Sequence, residues 1–423
     1  MQALSFAVAL YRRRLAINYW GRVRRDPLSR LHLAEGRANP YAVYDEIRAY
    51  GPLMPTPLGN WVTANHAVCD AVLRDRRFCP RAAQMNGPGA PGDKFDMSFL
   101  DKDPPEHTRL RRLAQPAFSP KQIAGYRPRV ERVVGELLDT AAAKGTFDLV
   151  SDFAAPLPIA VISDLMGIPD ADVDEFTEHG ALIGSALDGV RSLRHAARLL
   201  AASDALDKVF VRLFELRRRE PADDAVSRIL AAEGDQIQPH EVLPLCRLLL
   251  VAGFETTVNL IGNTVNALLD HPEQWDAVCA DPAGLADAAV EETLRWDSPV
   301  QRTSRCAVED IELAGVTVRK GELVVPLLGA ANRDPSVYAD ADRFDLHRVP
   351  EADHLSFSSG IHYCVGAPLA RMEAGVALRL LAERMPGLRR AGALRRRDAG
   401  IIRGPLAFPV STAVPATQHS LTA

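Results

Sequence analysis

What this sequence lacks narrows the field first. Its six cysteines (Cys69, Cys79, Cys246, Cys279, Cys306 and Cys364) are scattered over 423 residues, with no Cys-x-x-Cys pair and no Cys/His zinc spacing. That argues against a disulfide framework and a zinc module, and for a reducing, cytoplasmic compartment. Aromatics make up only 6% of the chain and the net charge is −4. Neither a base-stacking platform nor a field that gathers nucleic acid is therefore expected. No internal repeat and no linker stands out. The apolar run over 3–11 is about half of the roughly 20 residues a membrane span needs. It also precedes Arg12, Arg13 and Arg14, the reverse of signal-peptide order. Stable membrane insertion is not expected; an amphipathic, weakly membrane-associating start is the alternative.

What is present is ordinary globular material, 47% hydrophobic and 25% charged. Helical periodicity dominates. It predicts helices over 40–50, 66–74, 103–118, 122–144, 158–166, 170–187, 192–219, 239–269, 273–279, 285–296 and 367–385. Short strands are expected late, over 303–307, 311–313, 323–327 and 406–414. The stretch 80–103, with Gly87, Pro88, Gly89, Pro91 and Gly92, reads as a long irregular loop, and Asp188-Gly189 as a turn between helices. The expected class is mainly α, one large helical domain with small β-sheets over 40–412, an N-terminal extension over 1–39 and a tail over 413–423.

The most informative segment is Phe357-Ser-Ser-Gly360-Ile-His362-Tyr-Cys364-Val-Gly366. Cys364 sits between two glycines and just before a helix-forming run, where amide N–H groups and the positive helix end favour a thiolate. Gly360 and Gly366 would let the backbone approach a flat cofactor closely. The other five cysteines read as small buried hydrophobes.

This segment resembles the haem-binding loop of the cytochrome P-450 family, Phe-x-x-Gly-x-His/Arg-x-Cys-x-Gly. Phe357, Gly360, His362, Cys364 and Gly366 all match, while Ser358 stands where the family often has glycine. The resemblance implies that Cys364 is the axial thiolate on the iron of haem b, an electron donor that favours O–O cleavage.

Three further motifs follow the family's order. Asp103-Pro104-Pro105-Glu106 reads as a capped helix start, with His107 and Arg111 one turn apart on one face. By resemblance His107 and Arg111, with Arg305 and His362, bind haem propionate. In the longest apolar helix, Ala252-Gly253-Phe-Glu255-Thr256-Thr257 places glycine and paired threonines where a helix is weakened by them. It resembles the family's oxygen-activating motif, which makes Thr256 the hydrogen-bonding partner of O₂ and Glu255 a proton relay. Leu248, Val251, Ala252 and Val300 are then expected to line the substrate pocket, Ala252 also touching the cofactor. Glu292-Thr-Leu-Arg295 matches the family's Glu-x-x-Arg pair, and Arg343 the arginine that completes the cluster; these are expected to support the cysteine loop.

The resemblance implies a monooxygenase that inserts one atom of O₂ into an apolar small molecule, in secondary metabolism. No Gly-rich dinucleotide motif follows the cysteine loop, so ferredoxin and an NAD(P)H-dependent ferredoxin reductase are the expected electron donors. Arg112, about 100° around the helix from Arg111, is expected to face ferredoxin. Two alternatives remain. A peroxide-driven enzyme of the same fold would lack the acid–alcohol pair, and a haem-free activating partner would lack the thiolate.

Overall fold

The computed structural model describes residues 2–80, 96–169, 173–185, 190, 192–349 and 351–412. The expected mainly α architecture with small sheets is what it shows. One large apolar core is built by the helices Pro120–Lys144, Pro156–Met166, Leu193–Arg219, Pro239–Asp270, Pro282–Trp296 and Ala367–Arg384. Pro239–Asp270 (the long helix) is predominantly apolar and mostly buried, as befits a central core helix. It is long and apolar enough to cross a membrane, but 83% of its most apolar stretch is buried inside the protein. Pro239 opens it inside a capping box of Gln238 and Glu241, and Arg109 on the helix Glu106–Ala114 anchors Glu241 at 2.7 and 2.9 Å.

A five-stranded sheet flanks the helices in the order Met54–Pro55, Asn60–Thr63, Leu323–Pro326, Arg305–Ala307, Phe78–Cys79; only Asn60–Thr63 and Leu323–Pro326 run parallel. Two smaller apolar clusters lie under it, one containing Leu28, Leu31, Val43, Tyr44 and Ile47. Residues 27–31 are thus packed into the body, although they fall within the expected N-terminal extension. Elsewhere Pro409–Ser411 joins Thr146–Asp148 and Arg389–Arg390, tying the C-terminal chain to the first half.

Several expectations are corrected. The expected 103–118 helix starts at Glu106, after the cis Pro104–Pro105 bond, with Pro105 and not Asp103 at the N-cap; its last turn, Gln115–Phe118, is 3-10. The expected 406–414 strand is two, Pro405–Ala407 and Pro409–Ser411. The strands before residue 150 were too short, at two to four residues, to show an alternating pattern. Residues 81–95 of the irregular loop, Asp188-Gly189 and the tail 413–423 lie outside the described residues.

Candidate functional site

The cysteine loop is fixed by its own backbone. Cys364 N–H donates to the Phe357 carbonyl at 2.9 Å, and Ser358 N–H to Leu355 at 2.8 Å. Ser358 takes φ +64° and Gly360 φ +67°. Ser358 therefore keeps the left-handed turn expected of glycine, at the cost an L-residue carries there. At Gly360 a Cβ would lie 2.6 Å from the Leu73 carbonyl oxygen. Glycine is required there both by its positive φ and by close packing on the end of the helix His66–Arg74. At Gly366 a Cβ would make only ordinary contacts, 3.7 Å from Phe118 and 3.9 Å from Cys364 Sγ.

Cys364 is accessible to solvent but surrounded by protein at depth. Burial raises its pKa, opposed by the Gly366 amide, Arg111, the Ala367 amide and Arg371, and the net direction is upward. The amides favour the thiolate, as the sequence leads one to expect, but the desolvation that the sequence does not reveal outweighs them. A bound metal cation reverses that balance, since a coordinating thiol loses its proton.

A second group of side chains asks for an anion. His107 is 2% exposed and neither ring nitrogen has a hydrogen-bond partner. Its ring centroid lies 4.5 Å from that of His362, whose Nε2 is also buried and unpartnered. Burial, then Arg305, His107 and Arg111, push His362 down to about 3, so it is a neutral donor or acceptor. Burial also lowers His107. Arg305 is held at about 10 by burial and stays charged at neutral pH; its guanidinium donates to Thr303 Oγ1 and the Ser304 carbonyl. Arg111 donates to the Tyr363 carbonyl at 2.6 Å, joining this cluster to the cysteine loop. Buried polar atoms without partners are uncommon and need an explanation. Here, donors gathered beside the Cys364 thiol would fit a cofactor carrying both a metal and carboxylates, and the residues the resemblance named for propionate are brought together.

The long helix runs unbroken through Ala252–Thr257. Thr256 Oγ1 donates to the Ala252 carbonyl at 2.9 Å and Thr257 Oγ1 to Gly253 at 3.0 Å, back-bonds to the preceding turn of the kind that slightly weaken a helix. Ala252 is exposed, and Gly253 and Thr256 are half-buried, while Val251, Phe254, Glu255 and Thr257 are buried. The helix thus offers an accessible face of small residues next to a hydroxyl. Leu248 and Val251 are packed in the main core, whereas Val300 packs beside Leu73 and Leu328 and bridges to Ile402.

Glu255 is 1% exposed and its carboxylate is paired with Arg397. A Cβ at Gly184 would sit 2.5 Å from Glu255 Oε2, so glycine there makes room for the acid. Sequence reasoning missed Arg397, since nothing in the run Arg395-Arg396-Arg397 marks one arginine as the partner of a distant acid.

Glu292 and Arg295 form a bidentate buried pair at 2.7 and 2.8 Å. Arg295 also donates to the carbonyls of Asn332, Ala341 and Arg343. The third member is Arg348, 3.3 Å from Glu292, and not Arg343. The Arg343 side chain is 66% exposed and only its backbone carbonyl joins the cluster, because the turn from Asp340 to Arg343 directs it outward. From Arg295 the support passes through Asn332, whose side chain bonds Ser356 Oγ and Leu355 N–H at 2.7 Å each, and so reaches the cysteine loop. A second support joins Glu291 to Arg371 and His354, with Arg371 over the Phe357 ring at 4.5 Å. Burial raises Glu291, but hydrogen bonds from His354 and Arg371 outweigh it and hold the carboxylate at about 2.

With this geometry in place, the comparisons with known proteins agree. The family described as "Cytochrome P450" matches residues 284–384. The biotin biosynthesis cytochrome P450 of Bacillus subtilis is 39% identical over 357 residues, 83% of this chain and 90% of its own. The mycinamicin IV hydroxylase/epoxidase of Micromonospora griseorubida is 39% identical over 403 residues, 89% of this chain and 99% of its own. In structure, P450BioI in complex with acyl carrier protein ligated to hexadec-9Z-enoic acid superposes with a TM-score of 0.84 at 37% identity, covering 89% of this chain and 99% of that one.

Proposed function

This chain belongs to the cytochrome P450 family and is a monooxygenase, and on that premise we propose that it inserts one atom of O₂ into an apolar small molecule, using haem b ligated by Cys364. The observation that carries the cofactor assignment is the unpartnered pair His107 and His362 beside the charged Arg305. Those donors, with Arg111, would hold the propionates, and Cys364 the iron. When bound, the haem supplies the chemistry of O₂ reduction and C–H oxidation.

The chain's own residues do the rest. Thr256 Oγ1 carries the hydrogen-bonding hydroxyl on the accessible face of the long helix, and it can turn from the Ala252 carbonyl to donate elsewhere. Glu255, fixed by Arg397, would receive protons from solvent and pass them toward Thr256. The acid–alcohol pair, present here, favours O₂-driven over peroxide-driven turnover. Two relatives support an apolar substrate: one is named a mycinamicin IV hydroxylase/epoxidase, and another is seen with acyl carrier protein ligated to hexadec-9Z-enoic acid.

Electrons would come from ferredoxin and its NAD(P)H-dependent reductase in the cytoplasm. Two features support this: Arg112 is exposed while its neighbour Arg111 bonds inward to Tyr363, and a concavity of about 510 Å³ lies on the Arg371 side of the cysteine loop. That concavity is lined by Ile123, Arg127, Glu291, Arg371 and Met372, and by no residue of the Ala252–Thr257 segment. It therefore suits a partner and not the substrate.

The test is turnover with purified ferredoxin and reductase under isotopically labelled O₂, across fatty acids and macrolides. One labelled oxygen per product molecule is expected. Product formed only with added peroxide, and unlabelled by O₂, would favour the peroxide-driven reading.

A further inference from the structure

The first helix, Gln2–Asn18, continues into a π-helical turn, Tyr19–Val23, and is apolar on two sides. One side faces the body: Phe6 is 9% exposed and Gly21 is buried. The other does not. Val8 (50% exposed), Tyr11 (46%), Leu15 (71%) and Tyr19 (51%) recur at spacings of three and four, which places them on one stripe, and Val23 (65%) extends it. Large apolar side chains scattered singly over a surface need no explanation, but five aligned along one segment do.

The charge around this stripe has one sign. Residues 1–25 contain six arginines (12, 13, 14, 22, 24 and 25) and no aspartate or glutamate, in a chain whose net charge is −4. Arg12, Arg14, Arg22, Arg24 and Arg25 are all exposed. Tyr11, Tyr19 and Trp20 add side chains that prefer the boundary between hydrocarbon and headgroup. A second copy of the same segment would bring like charges together, so self-association is disfavoured.

We propose that this segment docks the enzyme reversibly on the surface of an anionic phospholipid bilayer. Val8, Tyr11, Leu15, Tyr19 and Val23 enter the headgroup boundary, and the flanking arginines contact lipid phosphates. The helix lies along the surface and does not span it: its exposed stripe covers one face only, and its opposite face packs on the domain. No part of the catalytic assignment depends on this surface.

The experiment is cosedimentation of the full-length, haem-loaded enzyme with vesicles, using phosphatidylcholine alone and phosphatidylcholine mixed equally with phosphatidylglycerol. Binding is expected to the mixed vesicles, to fall with added salt, and to be weak on phosphatidylcholine alone. Two paired variants separate the contributions: Leu15→Asp with Tyr19→Asp for the stripe, and Arg12→Glu with Arg22→Glu for the charge. Each pair should reduce binding about tenfold or more while leaving the carbon monoxide spectrum and melting temperature of the enzyme unchanged. Absence of vesicle binding, equal binding to both lipid mixtures, or undiminished binding by both variant pairs would overturn the proposal. So would a vesicle-free dimer, or a complex with an acidic protein, that the same substitutions abolish while vesicles bind nothing.

Discussion

The carboxylate of Glu255 is held by the guanidinium of Arg397, 142 residues further along the chain, and both sit where the C-terminal strands fold back against the long helix. A carboxylate that is 1% exposed depends on such a partner, because an unpaired buried charge is costly. Arg397→Gln should therefore disturb the acid as much as Glu255→Gln does. Both substitutions are expected to slow turnover and raise the solvent isotope effect, with haem content unchanged. The two effects should be non-additive in the double variant. Additive losses would separate Arg397 from the proton path.

Thr256→Ala removes one hydroxyl from the accessible face of the long helix. The bond it makes to the Ala252 carbonyl is local and its loss should cost the fold little, below about 1 kcal/mol. Turnover should become uncoupled: NADH consumption continues while peroxide accumulates and product falls. The ratio of product to NADH is the measurement, and an unchanged ratio removes Thr256 from the reaction.

Ser358 at φ +64° is an L-residue in a left-handed turn, with its hydroxyl buried and unpartnered. Ser358→Gly relieves both penalties and loses some unfolded-state entropy advantage, so a net gain of about 0.5–1 kcal/mol is expected. The denaturant midpoint should rise with no change in slope. A fall would mean that the serine hydroxyl is satisfied in solution.

Glu373 is 3% exposed in the helix that follows Cys364, and burial raises its pKa from 4.5 to about 8. Below pH 4.5 both folded and unfolded chains hold this proton. Between that point and about pH 8 the unfolded chain releases it while the folded chain keeps it, so stability falls as pH rises through this window. Glu373→Gln removes that slope. Its melting temperature relative to the parent should be clearly higher near pH 8 than near pH 5, and a difference independent of pH contradicts the assignment.

Much of this was legible in the sequence, for physical reasons. The long helix announced itself by length and apolar content, and His66–Arg74 by its helical spacing. The cysteine loop was legible because its residues are contiguous, so spacing alone specifies the frame. What was hidden depends on distant partners. Arg348 and Arg343 both lie near Phe344, and only the turn from Asp340 decides which one reaches Glu292. Arg397 carries no signal of its own, and it meets Glu255 only because the pairing of Arg395–Arg396 with Pro405–Ala407 brings its neighbourhood against the long helix. Asn332 and Ser356, which carry the support to the loop, are residue types that signal nothing by themselves. The direction of the Cys364 shift was also beyond sequence, because desolvation depends on what surrounds the thiol.

The central claim is that Cys364 ligates haem iron, and the absorption spectrum of the reduced protein under carbon monoxide tests it most directly. The wild-type protein should show the long-wavelength band that a thiolate ligand produces, and Cys364→Ser should lose it while the five remaining cysteines stay in place. A Cys364→Ser protein with the wild-type spectrum, or a wild-type protein showing only a histidine-type band, would contradict the assignment.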